Sequence, residues 1–123
     1  MIVVLDSNFL LVPFEFKVDV FDQARGLLAG KLDFVVLDSC ISEIKSFEGQ
    51  TGRKMLSALN ALEKKGLTLV KGTGKARADD DIVAFASSND VVVCSNDSLL
   101  RKRLKEKGVK TIFLRKKSFL VLE

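Results

Sequence analysis

Three consecutive aspartates in the stretch 78-ADDDIVAFA-86 run directly into a short apolar segment with helical spacing. Each residue of an α-helix turns about 100°, which places Asp79 about 40° from the centre of the apolar stripe. Asp80 and Asp81 lie roughly 120° or more from that centre, so they are expected to face solvent or the rim and to complement the helix N-terminus. The stripe itself consists of Ile82, Val83, Phe85 and Ala86. The spacing therefore predicts that Asp79 alone points inward.

Two more aspartates follow strand-like runs, Asp6 in 2-IVVLDSN-8 and Asp97 in 91-VVVCSND-97. Ligands of open parallel sheets bind outside the carboxyl ends of the strands, where the strand order reverses. If these two strands are neighbours at that point, the two carboxylates face each other across a crevice.

A fourth carboxylate, Glu43, lies in 38-DSCISEIKSF-47, where Asp38 or Ser39 is expected to cap a helix. Glu43 falls about 80° from the centre of the buried stripe of that helix. This position suits a residue that reaches the cleft and an ordinary solvated glutamate equally well.

The chain contains no histidine, which excludes Ser-His and Cys-His catalysis and histidine-ligated metal sites. Clustered carboxylate oxygens are instead the ligands that Mg²⁺ and Mn²⁺ select, and a cation offsets the repulsion between them. The two cysteines, Cys40 and Cys94, lack metal-type spacing and are expected to be small buried thiols.

Charge is unevenly distributed along the chain. The segment 99–123 carries nine Lys or Arg and two Glu, whereas the first 98 residues carry 11 basic and 14 acidic residues. A basic C-terminal quarter beside an acidic remainder is typical of a protein that binds phosphates in one place and cations in another.

Short β-branched runs alternate with helical patterns, which predicts a three-layer α/β/α sandwich around a parallel sheet. The predicted strands are Ile2–Leu5, Phe34–Leu37, Leu67–Val70, Val91–Cys94 and Thr111–Leu114, and Pro13 is expected to break the chain after the first of them. A chain of 123 residues with 47% hydrophobic content fits one domain spanning residues 1–123. Its apolar runs are too short to cross a bilayer and no signal peptide is evident, so we expect a soluble, cytoplasmic protein.

The succession 3-VVLDSN-8, 38-DSCISEI-44, 78-ADDDIVAFA-86 and 92-VVCSNDSLLRKRL-104 resembles the PIN domain, a family of small metal-dependent nucleases. The resemblance covers essentially the whole chain. It is greatest to archaeal relatives of ribosome-processing PIN proteins, and VapC toxins share the same core. It implies a sheet of order 3-2-1-4-5 and an acidic pocket for one or two Mg²⁺ or Mn²⁺ ions.

By motif match, the metal-binding and catalytic positions implied are Asp6, Glu43, Asp79 and Asp97. Supporting pocket residues are Ser7, Asn8, Ser95 and, at the rim, Asp80. On the basic segment after Asp97, RNA phosphates are expected to contact Arg101, Lys102, Arg103 and Lys105.

The implied activity is hydrolysis of RNA phosphodiester bonds, in ribosomal RNA processing or as a VapC-type toxin. The expected partners are RNA and either a pre-ribosome or an antitoxin, and a homodimer is compatible with the sequence. One alternative is a catalytically inactive RNA-binding or ribosome-assembly module. Another is a phosphatase with Asp6 as nucleophile, although Asn8 stands where such enzymes have a second aspartate. A phosphate-binding P-loop at 71-KGTGKA-76 is disfavoured because Lys75 precedes Ala76 instead of Ser or Thr.

Overall fold

A six-stranded sheet forms the centre of the computed structural model, which describes all residues 1–123. The strand order is β3-β2-β1-β4-β5-β6, and every neighbouring pair is parallel except β5 and β6. The strands are β1 (Ile2–Leu5), β2 (Asp33–Leu37), β3 (Thr68–Val70), β4 (Val91–Cys94), β5 (Thr111–Arg115) and β6 (Phe119–Leu122). The five predicted strands and their order are confirmed, and the sixth is an addition to the predicted sheet.

The strand β6 pairs antiparallel with β5 and forms one edge of the sheet. A hairpin connects them through Lys116 and Lys117, both at φ 54°, where the Ser118 N–H donates to the carbonyl of Arg115 at 3.1 Å. Because a hairpin needs no crossover helix, this strand falls outside the β-α alternation that indicated the other five.

Helices occupy the connections between the parallel strands. A 3-10 helix (Ser7–Leu11), α1 (Val12–Glu15) and α2 (Val20–Leu27) lie between β1 and β2, and α3 (Asp38–Ser46) and α4 (Gly49–Glu63) lie between β2 and β3. The remaining helices are α5 (Ala78–Ser88) and α6 (Ser98–Glu106). The expected break at Pro13 is wrong: Pro13 lies in the first turn of α1, where a missing N–H costs no hydrogen bond.

The core lies on both faces of the sheet. Consecutive residues of β1, β2 and β4 are buried, as expected for strands covered by helices on either side. Cys40 and Cys94 are both buried free thiols, as the sequence predicted, and burial raises the pKa of each. None of the helices has the length and apolar content needed to cross a membrane.

Candidate acidic active site

Asp6 lies immediately beyond β1, at the point where the chain order of the sheet reverses. The strands β1 and β4 are parallel neighbours with Leu5 opposite Cys94, so Asp6 and Ser95 leave the sheet side by side. The Ser7 N–H donates to Oδ1 of Asp6 at 2.8 Å, and the Ser95 hydroxyl donates to Oδ2 at 3.0 Å. These bonds hold the carboxylate of Asp6 in one orientation although the residue is almost fully buried.

Asp97 lies at the carboxyl end of β4 and is the N-cap of α6. Its Oδ1 accepts the N–H groups of Leu99 and Leu100 at 2.9 and 3.2 Å. A cap of this kind fixes the position of the side chain and satisfies two helix donors. The second carboxylate oxygen makes no hydrogen bond within the protein, so it is free to bind a ligand.

Glu43 on α3 is connected to the end of β1. The Ser7 hydroxyl donates to Oε1 of Glu43 at 2.6 Å while the Ser7 backbone holds Asp6. The sequence left open whether Glu43 reaches the cleft, and this bond places its carboxylate beside the strand end. Ser7 is buried and positions both carboxylates.

Asp79 on α5 is half-buried and lies within the electrostatic field of the other acids. Burial raises its pKa, the carboxylates of Asp97 and Glu43 raise it further, and the guanidinium groups of Arg103 and Arg77 oppose the increase. The helical spacing predicted that Asp79 alone points inward, but the most deeply buried of the three aspartates is Asp81. The four carboxylates therefore share one region of the surface, each from a different part of the chain.

The pKa of Asp6 is raised to about 6. Burial is the largest cause, and the carboxylates of Asp79 and Glu43 add to it, whereas hydrogen bonds from Ser95 and Ser7 lower the pKa. A buried carboxylate surrounded by like charges is stabilised in its charged form by a bound cation.

Two of the four acids, Glu43 and Asp79, border a cavity of about 350 Å³. No three acidic or thiol side chains of the protein converge tightly enough to form a ready-made coordination cluster. Mg²⁺ usually keeps several waters and binds directly to one or two carboxylates, so a spaced set of carboxylates without nitrogen ligands fits such an ion. The cavity is lined by Ser42, Glu43, Ser46, Ala76, Arg77, Ala78 and Asp79.

Among the predicted supporting residues, Ser7 and Ser95 are buried and hydrogen-bonded to the acids. Asn8 is exposed and its side chain makes no hydrogen bond in the structure, so no contact supports a pocket role for it. Asp80 lies at the rim, where its Oδ1 accepts a 2.9 Å hydrogen bond from Arg103.

The prediction that Asp81 faces solvent or the rim is wrong. Asp81 is completely buried and accepts the Ser39 hydroxyl at 2.5 Å, the Thr73 hydroxyl at 2.5 Å and the Thr73 N–H at 2.7 Å. Burial raises the pKa of Asp81, but these hydrogen bonds outweigh burial and leave the pKa below its ordinary value. The helical wheel missed this because the loop between β3 and α5 covers the residue.

The expected capping of α3 by Asp38 or Ser39 is also wrong. The helix begins at Asp38 after Leu37, without a side-chain cap. The Asp38 carboxylate instead accepts the Gly72 N–H at 3.0 Å, and the Ser39 hydroxyl donates to Asp81. Both residues connect α3 to the loop that precedes α5.

The four predicted phosphate-binding residues of α6 have different surroundings. The guanidinium of Arg101 lies 4.2 Å from the centre of the Phe113 ring and 3.8 Å from Glu123, and its Nε is buried, so it packs against the neighbouring strands. Arg103 pairs with Asp80 at the pocket rim. Lys102 and Lys105 are exposed and have no ion-pair partner.

The fold and the site define a class of protein: a parallel α/β sandwich with an acidic cleft at the switch point of its sheet. A family model described as "PIN like domain" matches residues 3–117. The chain belongs to this family.

Two relatives agree with that assignment. Ribonuclease VapC4 of Methanocaldococcus jannaschii is 29% identical over 122 residues, which is 95% of this chain and 92% of that protein. The structure of the PIN domain endonuclease Utp24 has the same fold, with a TM-score of 0.82 and 22% identity over 99% of this chain and 90% of that one.

Proposed function

We propose that this protein is a metal-dependent endoribonuclease. The observation that carries the proposal is the proximity of carboxylates beyond a PIN-family sheet: Asp79 and Glu43 raise the pKa of Asp6, and Asp97 and Glu43 raise that of Asp79. The ribonuclease name of the M. jannaschii relative supports the same activity.

Three of the four acids are held by the protein in a way that suits ligand binding. Asp6 is fixed by Ser7 and Ser95, and Glu43 is fixed by Ser7. Asp97 uses one oxygen for the helix cap and keeps the other free. Because these positions are set by the protein, the carboxylates need little rearrangement before binding.

Mg²⁺ or Mn²⁺ held by these residues would supply Lewis-acid chemistry that lowers the pKa of a bound water and offsets negative charge on a phosphodiester. One or two of the four carboxylates would bind the ion directly, and the others would hold and orient its waters. At the rim, Arg103 presents a guanidinium that a phosphate oxygen can bind in competition with the Asp80 carboxylate. Lys102 and Lys105, further along α6, would bind more distant phosphates without reading sequence.

The decisive experiment uses Asp97→Asn. Asparagine is as good a helix cap as aspartate, so the substitution removes a charged ligand while keeping the cap of α6. Wild type should cleave single-stranded RNA with Mg²⁺ or Mn²⁺ and stop in EDTA, whereas Asp97→Asn should lose cleavage. The matched control is Asp19→Asn, which alters an exposed cap of α2 outside the acidic cleft and should remain fully active.

Three outcomes would contradict the proposal: sustained cleavage in EDTA, full activity of Asp97→Asn, or no cleavage of varied RNAs with either metal. RNA binding without any cleavage would instead indicate the inactive RNA-binding module. The two cellular roles, toxin and ribosomal RNA processing, remain alternatives. A small antitoxin gene beside the coding frame would favour the toxin, and its absence would favour the processing role.

A further inference from the structure

The loop between β3 and α5, residues 71–77 with the sequence KGTGKAR, carries three basic side chains. Lys71, Lys75 and Arg77 are all exposed, and neither of the two ion pairs in the structure includes any of them. Their charges are therefore available to a ligand. We refer to residues 71–77 as the basic loop.

The backbone of the basic loop is anchored to buried or fixed carboxylates of the same chain. The Gly72 N–H donates to Asp38 at 3.0 Å, and Thr73 donates to Asp81 through both its N–H and its hydroxyl. A side chain at position 72 would overlap the Asp81 carboxylate, so only glycine fits there. These contacts use the N–H groups that a P-loop would offer to phosphate, and they hold the basic side chains on a fixed backbone.

The end of the basic loop borders the acidic cavity. Ala76 and Arg77 line it together with Glu43 and Asp79. Arg103 of α6 also acts on Asp79, so guanidinium groups from two separate elements surround this carboxylate. The basic loop therefore contributes Arg77 to the lining of the cavity, while Arg103 of α6 pairs with Asp80 nearby.

A polyanion needs such cations to approach four carboxylates. Fixed positive charges beside the cleft lower the repulsion and orient the strand, and each phosphate contact adds salt-dependent affinity. The planar guanidinium of Arg77 can bind a phosphate through two parallel hydrogen bonds. If the protein cleaves RNA as proposed, the phosphates at this position belong to the RNA substrate.

We infer that the basic loop binds the RNA backbone next to the cleaved bond, with Arg77 and Lys75 contacting phosphates there in addition to those bound by α6. This inference rests on the proposed function. It adds to the site a second phosphate-binding element, anchored by Asp38 and Asp81.

The test measures binding of a short, fluorescently labelled single-stranded RNA in EDTA over a series of salt concentrations, with cleavage in Mn²⁺ measured separately. Arg77→Ala should weaken binding about tenfold, the low end for a hydrogen bond to a charged group. It should also reduce the slope of log affinity against log salt by about 0.7, the value for one contact to a single strand. Lys75→Ala should lower the slope similarly, and Arg77→Lys should keep the slope while binding less tightly.

The matched control is Lys31→Ala. Lys31 is exposed and precedes β2 at the amino end of the strands, opposite the carboxyl end where the acids lie, so its removal should leave affinity and salt slope unchanged. All variants alter exposed side chains, and equal thermal unfolding temperatures will confirm that they are folded.

Wild-type affinity and slope in both Arg77→Ala and Lys75→Ala, with RNA still bound and cleaved, would overturn the inference and leave the proposed function intact. A wild-type protein that neither binds nor cleaves RNA would contradict the proposed function itself. If Lys31→Ala and Arg77→Ala lowered RNA affinity and salt slope equally, the basic loop would act only as part of the general surface charge. That result would also overturn the inference.

Discussion

The hydroxyl of Ser7 donates a 2.6 Å hydrogen bond to Oε1 of Glu43 and thereby joins the end of β1 to α3. Glu43 would otherwise be free to rotate away from its like-charged neighbours. The bond explains how a residue at the edge of a helical stripe becomes part of the acidic cleft.

Ser7→Ala is therefore expected to reduce RNA cleavage about tenfold and to raise the Mg²⁺ concentration needed for half-maximal rate, because Glu43 loses the donor that holds it. The free energy of unfolding should fall by only about 1 kcal/mol. The control is Ser42→Ala, an exposed residue that lines the same cavity without a hydrogen bond to any acid. A Mg²⁺ dependence identical to wild type would show that Ser7 does not position Glu43.

Asp79→Asn is expected to abolish cleavage and to leave the metal-free protein equally or more stable. The pKa of Asp79 is raised by burial and by Asp97 and Glu43, so the charge of Asp79 is unfavourable without a cation. Thermal unfolding with and without Mg²⁺ measures both effects, since bound metal stabilises the folded state by mass action. Asp90→Asn, at the exposed amino end of β4, is the control. If Mg²⁺ raised the unfolding temperature of Asp79→Asn as much as that of wild type, Asp79 would not be a metal-binding residue.

Asp81→Asn is expected to lower the free energy of unfolding by about 1 to 3 kcal/mol, the cost of disrupting hydrogen bonds to a buried group. This exceeds the roughly 0.3 to 1 kcal/mol expected if Asp81 only complemented the helix dipole. Urea unfolding will separate the two cases, with Asp80→Asn as the exposed comparison in the same helical turn. Equal losses in the two variants would contradict the structural role of Asp81.

Asp6 and Asp81 should make the stability of the metal-free protein depend on pH in opposite directions. Because the pKa of Asp6 is raised from 3.8 to about 6, its contribution to the free energy of unfolding is complete below pH 3.8 and is lost as pH rises to about 6. This loss is on the order of 2 to 3 kcal/mol. Because the pKa of Asp81 is lowered in the folded protein, its contribution to the free energy of unfolding is present above the ordinary pKa of an aspartate. That contribution is lost as pH falls through the pKa of Asp81 in the folded protein.

Urea unfolding in EDTA across this range, with Asp6→Asn as the test variant, checks the prediction. The variant should lack the decline between pH 3.8 and about 6. The charged groups that act on Asp6 are Asp79 and Glu43, so excess Mg²⁺ should also suppress the decline in wild type. If the free energy of unfolding of Asp6→Asn declined as much as that of wild type over this pH range, another titrating group would be responsible for the decline.

The parts of the fold that local periodicity encodes were predictable from the sequence. Runs such as Val91–Cys94 are rich in β-branched residues and buried on both faces, so the strands themselves could be located. The order of the strands around Asp6 was implied by the resemblance to the PIN domain, and the structure confirms it. The strand Phe119–Leu122 has a similar composition but returns through a hairpin, which the alternation of strands and helices does not indicate.

In the candidate site as well, features set by one helix were predictable from the sequence, whereas features set by contacts between elements were not. The helical wheel turned Asp79 towards the buried side, and Asp79 is half-buried, but the same wheel wrongly turned Asp81 towards solvent. Asp81 lies two residues later, but its donors come from Ser39, 42 positions away, and from a loop that folds back over it. Arg101 likewise packs on Phe113 of another strand. Contacts of this kind depend on how separate helices, strands and loops pack against each other, so they cannot be predicted from the spacing of residues within one helix.

The central position of β1 also determines when the acidic cleft can first assemble during synthesis. Asp6 is made before the Ser95 hydroxyl that holds it, which lies 89 positions later in the segment that follows β4. Until that strand is made, β1 has an unpaired edge and the helix capped by Asp97 does not exist. Such long-range pairings also form late in folding, because a large loop must close first. A chain that ends before α6 therefore lacks the proposed catalytic centre, which assembles only after the segment beyond β4 has been made.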